Sequence, residues 1–300
     1  MDERFCDVGD VTLCYETFGD AGDPAVLLIM GLGTQMVAWQ EEFCEELAGR
    51  GFHVIRFDNR DVGRSTWLDH VRPPTRGEIL RRRPRLPAYT LSEMAGDAVG
   101  LLDCLEIEAA HVVGASMGGM IAQMAAAEHP DRVLSLVSIM STTGRVWVGQ
   151  PALRLYPYLL RQPPRDRDAY LDAMVLLFGA IGGGGFPRDE GELRELAALS
   201  FERGVNHHGT ERQLAAILAS GDRTLALGRI TAPTLVIHGK SDRLVRPSGG
   251  RATARAIPGA RLELIEGMGH DLPRGVWPRI IDGIAENAAR ATRRTPTAAG

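Results

Sequence analysis

Residues 112–120 read VVGASMGGM: an apolar run, a serine between glycines, then a second apolar run. Glycine is disfavoured in both strand and helix interiors, so Gly114 and Gly118 mark a sharp turn between two elements. A Gly-x-Ser-x-Gly turn joining a strand to a helix is strained and holds its serine hydroxyl out at the end of a sheet. The small residues at Gly114 and Gly118 let the elbow close around Ser116. The helix that begins at Met117 aims its N-terminal dipole and free N–H groups at the same spot. The alternative role for Ser116 is a plain helix cap.

The rest of the chain supplies the setting such an elbow needs. Apolar runs at 25–30 (AVLLIM), 53–57 (HVIRF), 111–114, 133–139 (VLSLVSI), 234–238 (TLVIH) and 261–265 (RLELI) predict strands. Several are apolar throughout, as in a parallel sheet covered on both faces. Segments 37–50, 91–105, 117–128 and 276–291 predict helices between them. This alternation predicts an α/β architecture with right-handed crossovers. VTLCYETFG, ending at Gly-Asp, predicts an antiparallel hairpin leading in. From about Ser141 to Gly228 the strand pattern stops, and helical segments at 168–177 and 190–202 take its place. The expected organisation is therefore a core of residues 1–140 and 229–292, a helical cap insertion at 141–228 and a flexible tail at 293–300. Glycines 182–185 read as a flexible loop, since no Lys-Ser/Thr pair follows to make a phosphate cradle.

Composition removes other classes. The chain has 300 residues, is 44 % hydrophobic and 24 % charged, and carries a net charge of −4, with no nucleic-acid footprint. The basic cluster Arg81, Arg82, Arg83 and Arg85 lies in a proline-rich segment and reads as a solvated loop. No apolar run reaches the roughly 18–20 residues of a membrane span. The opening MDERFCDVGD is not a signal peptide in pattern. Cys6, Cys14, Cys44 and Cys104 show no CxxC spacing and read as small reduced thiols of a cytoplasmic protein. The sequence leaves a homodimer open. No HExxH, His/Cys cluster or complete GxGxxG is present, so neither metal nor organic cofactor is expected.

A serine hydroxyl is a weak nucleophile until a base takes its proton, and that base needs an orienting acid. The elbow architecture sets the chain order serine, acid, histidine. His270 in EGMGHDLP follows the last strand in a glycine-rich loop, where the base belongs. His53, His111 and His238 lie in strand runs and read as packing or sheet-end residues; His70 and His129 read as loop and helix-end positions. His207 and His208 lie in the insertion and read as surface residues, with a pocket lining as the alternative. Asp242 in TLVIHGKSDRLVRP leaves the preceding strand and is the expected acid, while Asp271 beside His270 reads as a turn residue. The alternative acid loop, MSTTG after 133–139, holds no carboxylate. The oxyanion donors are expected to be the N–H groups of Met117 and of Leu32, between Gly31 and Gly33. Asp and Arg of DNRDVGRS (58–65) are expected to brace neighbouring loops.

MGLGTQMVAW, FDNRDVGRS, VVGASMGGM and GMGHDLP together resemble the α/β-hydrolase superfamily over roughly residues 11–289. Within it the chain resembles the small-ester hydrolases that include aclacinomycin methylesterase-like proteins. Met30-Gly31 stands where many members carry His-Gly, a departure that branch shares, whereas the Arg-Pro-rich 68–88 segment is longer than in that branch. The resemblance implies a serine hydrolase that cleaves a small-molecule carboxylic ester through Ser116, His270 and Asp242 and an acyl-enzyme, without a cofactor. Serine at the elbow separates it from relatives with an aspartate nucleophile. Lactone or C–C bond hydrolysis and perhydrolysis are the alternatives within the fold; a non-catalytic ligand receptor is the alternative of another class. Trp147, Tyr156, Tyr158, Phe178 and Phe186 in the insertion suit an apolar or aromatic acyl group.

Overall fold

A computed structural model of the chain describes residues 2–82, 84, 87–159 and 164–292. The expected tail at 293–300, together with Arg83 and Arg85, lies outside the described residues. Eight strands form one sheet among the described residues. They are β1 (Arg4–Val8), β2 (Val11–Phe18), β3 (Ala25–Ile29), β4 (His53–Phe57), β5 (Ala110–Ala115), β6 (Val133–Ile139), β7 (Thr234–Gly239) and β8 (Arg261–Ile265). The sheet order is β1-β2-β4-β3-β5-β6-β7-β8. β1 and β2 form the antiparallel hairpin and β2 pairs antiparallel with β4; every later pair is parallel.

The helices are α1 (Glu41–Ala48), α2 (Arg76–Leu80), α3 (Leu91–Cys104), α4 (Met117–Glu128), α5 (Tyr156–Leu159), α6 (Arg167–Ile181), α7 (Glu190–Arg203), α8 (His207–Ser220), α9 (Thr224–Leu227), α10 (Ser248–Ala256) and α11 (Trp277–Thr292). Strand side chains alternate between two apolar layers. Leu27, Ile29, Ile55, Phe57, Val112 and Leu136 pack under α3 and α4. Val26, Leu28, Val54, Val113, Val137 and Ile237 pack under α1 and α11. Covering both faces is what lets these strands be apolar throughout. The expected helix over 37–50 is shorter: a 3₁₀ turn at Met36–Ala38 precedes α1.

The chain between β6 and β7 contributes α5 to α9 and no strand among the described residues. Its exit and return are tied by Arg223, whose backbone N–H donates to Thr143 O at 2.9 Å and whose guanidinium donates to Thr142 O at 2.7 Å. β3 pairs with β4 on one side and β5 on the other. The ends of β3 and β5 thus flank the point where strand order reverses, the place where open α/β sheets gather their loops into a site.

The cysteine expectation needs correction. Cys6 on β1 and Cys104 at the end of α3 form a disulfide, with Cα atoms 6.5 Å apart. Tertiary packing of α3 on the sheet edge brings them together across 98 residues, which no local spacing reveals. Cys14 and Cys44 are buried free thiols, and burial pushes both up to about 12. In the chain-entropy account, closing a loop of this length is worth about 4–5 kcal/mol. Unfolding in urea with an excess of phosphine reductant is therefore expected at a clearly lower midpoint than without it. An unchanged midpoint would show that Cys6 and Cys104 are not paired in solution.

Candidate active site

β5 runs straight into α4 through Ser116, which adopts φ 56° and ψ −117°. A side chain at such angles costs about 1–3 kcal/mol, a strain that persists only where the surroundings enforce it. They do so here by close packing. A Cβ on Gly114 would lie 2.1 Å from Gly118 O, and one on Gly118 would lie 2.1 Å from Ile29 O. Glycine at both positions lets α4 fold back onto β5 and β3. Ser116 makes no side-chain cap bond to the helix, so the plain capping role is not what its hydroxyl does.

That hydroxyl is occupied elsewhere. Ser116 Oγ lies 2.9 Å from His270 Nε2, and His270 Nδ1 lies 2.8 Å from Asp242 Oδ2. The Asp242 carboxylate only accepts, so the Nδ1 proton faces it and Nε2 is left to accept from the serine. The other carboxylate oxygen accepts the N–H groups of Leu244 and Val245, each at 2.9 Å. Burial pushes the Asp242 carboxyl upward, but the facing His270 and His238 outweigh it and hold it below its ordinary value. Asp242 thus stays ionised beneath the imidazole. Asp271, adjacent in sequence, turns to the Gly269 N–H instead, at 3.2 Å.

The loop after β3 passes over the serine: a Cβ on Gly31 would stand 3.2 Å from Ser116 Cβ. Gly33 N–H is taken by Gln213 Oε1 at 2.8 Å. Among the described residues the N–H groups of Leu32 and Met117 donate to no protein acceptor. The 58–65 turn braces this loop and its neighbours, as its residue types suggest. Asn59 Nδ2 donates to Met30 O at 3.0 Å, and Asp58 accepts from Met36 N–H at 2.7 Å. Asp58 also pairs with Arg203, and Asp61 takes a two-pronged bond from Arg212 at 2.6 and 2.8 Å. Arg60 pairs with Asp97 at 2.6 Å. Both Arg203 and Arg212 belong to the segment between β6 and β7, so buried ion pairs anchor α7 and α8 beside the 58–65 turn.

Two placements differ from the sequence reading. His238 is at the sheet end, as one of its two readings had it: its Nε2 donates to Val245 O at 2.7 Å and lies 3.4 Å from Asp242 Oδ2, so it supports the loop that carries Asp242. Glycines 182–185 do not form a free loop, since Gly185 N–H donates to Gly267 O at 3.1 Å beside the histidine. Trp147 is 87 % exposed and Phe186 packs on Gly275 in the core layer under α11, so neither belongs to an enclosed acyl pocket. Sequence reasoning also missed Arg203, Arg212 and Gln213. Their one local signal is Asn206, an N-cap opening the proline-free run of α8.

Comparison with known proteins fits this geometry. Residues 24–273 match the family described as alpha/beta hydrolase fold, and the chain belongs to that family. It is 32 % identical to rhodomycin D methylesterase DauP of Streptomyces sp. (strain C5), over 97 % of this chain and 100 % of the relative. Rhodomycin D methylesterase DnrP of Streptomyces peucetius is 31 % identical with the same coverage. Among solved structures, a hydrolase from Pseudomonas aeruginosa PA01 superposes with a TM-score of 0.69 at 26 % identity, covering 96 % of this chain and 98 % of that one. The resemblance to small-ester hydrolases therefore stands. No helix among the described residues is long and apolar enough to cross a membrane.

Proposed function

We propose that the chain is a serine esterase acting on a small-molecule carboxylic ester, with a methyl ester of an apolar or aromatic acid as the substrate class to test first. The observation that carries this reading is the unbroken line Asp242–His270–Ser116, with contacts of 2.8 and 2.9 Å at a strained elbow. Ser116 attacks the ester carbonyl while His270 Nε2 takes its proton. Asp242 holds the imidazole tautomer and balances the imidazolium. The N–H groups of Leu32 and Met117 receive the oxyanion, each worth roughly 3 kcal/mol in the transition state. His270 returns the proton to the leaving alcohol, and water then releases the acid from the acyl-enzyme. The 141–228 segment serves as the cap over this site. Relatives named as methylesterases support the ester as the bond cleaved.

Treatment with a fluorophosphonate followed by peptide mass spectrometry is expected to place the adduct on Ser116. Turnover of p-nitrophenyl and methyl esters of graded acyl size is expected alongside it. Labelling with turnover of lactones or C–C substrates alone would overturn the ester reading. No labelling would leave the receptor reading in its place.

A further inference from the structure

The loop that carries His270 is clamped from two sides. On one side lies the acid loop: Ser241 N–H donates to Met268 O at 3.0 Å, and a Cβ on Gly239 would fall 2.2 Å from the same oxygen. On the other side lies the glycine run that follows α6 in the segment between β6 and β7. Ile181 O accepts the backbone N–H of His270 itself at 3.0 Å. The two backbones touch directly: a Cβ on Gly183 would fall 2.0 Å from Gly267 O and 2.4 Å from Gly269 N. A Cβ on Gly269 would fall 2.1 Å from Gly183 N. Asp271 stitches this seam. Its carboxylate accepts from the Gly269 N–H at 3.2 Å and lies 3.7 Å from Arg188 Nη2. Arg188 occupies the space where a side chain on residue 182 would be, 1.8 Å from that Cβ position.

We infer that the 181–185 segment is a positioning element for His270, with Gly183, Arg188 and Asp271 as positioning residues that set the imidazole against Ser116. This rests on the reading of His270 as the base. The acid loop fixes the imidazole from the core side through Nδ1, whereas the glycine run fixes the main chain of the same residue from the side of α6. At Gly183 backbone meets the backbone of Gly267 and Gly269 directly, so movement of that segment is passed to the histidine backbone without a compliant layer there. The base is then fully placed only when the 181–185 segment is docked. Among the described residues the hydrogen bonds of the seam go to the His270 loop and none to Leu32 or Met117, so its effect is expected on proton transfer rather than on binding.

The test compares Gly183→Ala, Arg188→Met and Arg188→Lys with the parent enzyme. For each, kcat and KM on a short-chain p-nitrophenyl ester are read together with the downfield proton resonance of the His270 Nδ1–H bond to Asp242 and the thermal midpoint. Gly183→Ala is expected to lower kcat at least about tenfold, because small misplacements of a reacting group are costly. KM should stay within about twofold, and the downfield resonance should move or broaden. Arg188→Met should do the same more weakly, and Arg188→Lys should restore the resonance and most of the rate. A folded Gly183→Ala enzyme with parental kcat and an unmoved resonance overturns the inference. Should Gly183→Ala fail to fold, parental kcat and resonance in Arg188→Met overturn it equally. The resonance does not depend on turnover, so a parent that is not labelled at Ser116 sinks the esterase reading while the spectrum still reports whether the seam places the histidine.

Discussion

Ser116→Ala is expected to lower kcat by at least about a thousandfold, leaving the residual rate that binding and the oxyanion donors supply. The fold should survive, because the elbow is enforced by the packing of Gly114 and Gly118 rather than by the hydroxyl, which makes no cap bond. Ser116→Gly should be equally inactive yet more stable. Glycine takes a φ of 56° without the Cβ penalty, so it recovers part of the roughly 1–3 kcal/mol of strain. Kinetics on the best ester together with thermal unfolding of both variants decide the matter. A rate above a tenth of the parent's in either one would remove Ser116 from the nucleophile's role.

Asp242→Asn is expected to lower kcat by about ten thousandfold, the loss seen when a triad acid becomes an amide. The local bonding explains why. Leu244 and Val245 present two N–H donors to one oxygen of residue 242. An asparagine must give them its carbonyl oxygen, which turns its NH₂ toward His270. Nδ1 then has to accept, the ring proton moves to Nε2, and the nitrogen facing Ser116 can no longer take a proton. Asp271→Asn keeps an acceptor for Gly269 N–H and should cost no more than about tenfold. Steady-state kcat/KM for the two variants on one ester is the measurement, and the reverse ranking would make Asp271 the acid.

The sheet was legible because its period and its burial agree. Runs such as AVLLI, apolar along its length, and VLSLVSI, apolar at most positions, are covered residue for residue by β3 and β6. The elbow was legible for the opposite reason: glycines there contradict both neighbouring elements. Asp242 and His270 followed from their loops once chain order was imposed. The paired cysteines were hidden because contact across 98 residues depends on how α3 lies on β1. The glycine run was misread for a related reason. Four glycines signal absent side chains, and the sequence does not say whether solvent or another backbone fills the space. Arg203 and Arg212 resemble ordinary surface cations of amphipathic helices, and their buried partners lie 145 and 151 residues away.

Those two arginines bear on how such a protein can change. One way to seek a different substrate range is to exchange the segment between β6 and β7 for another. Here that segment is not an independent cassette. Asp58 and Asp61 are buried carboxylates whose charge is matched by Arg203 and Arg212, and Gln213 holds the Gly33 N–H in the loop that passes over Ser116. A transplanted segment without matching cations would strand two anions in the interior, each a loss of about 3–5 kcal/mol. Successful chimeras of this scaffold should therefore retain those arginines or neutralise both aspartates in the recipient, so the 58–65 turn and the distant helices are inherited as one unit.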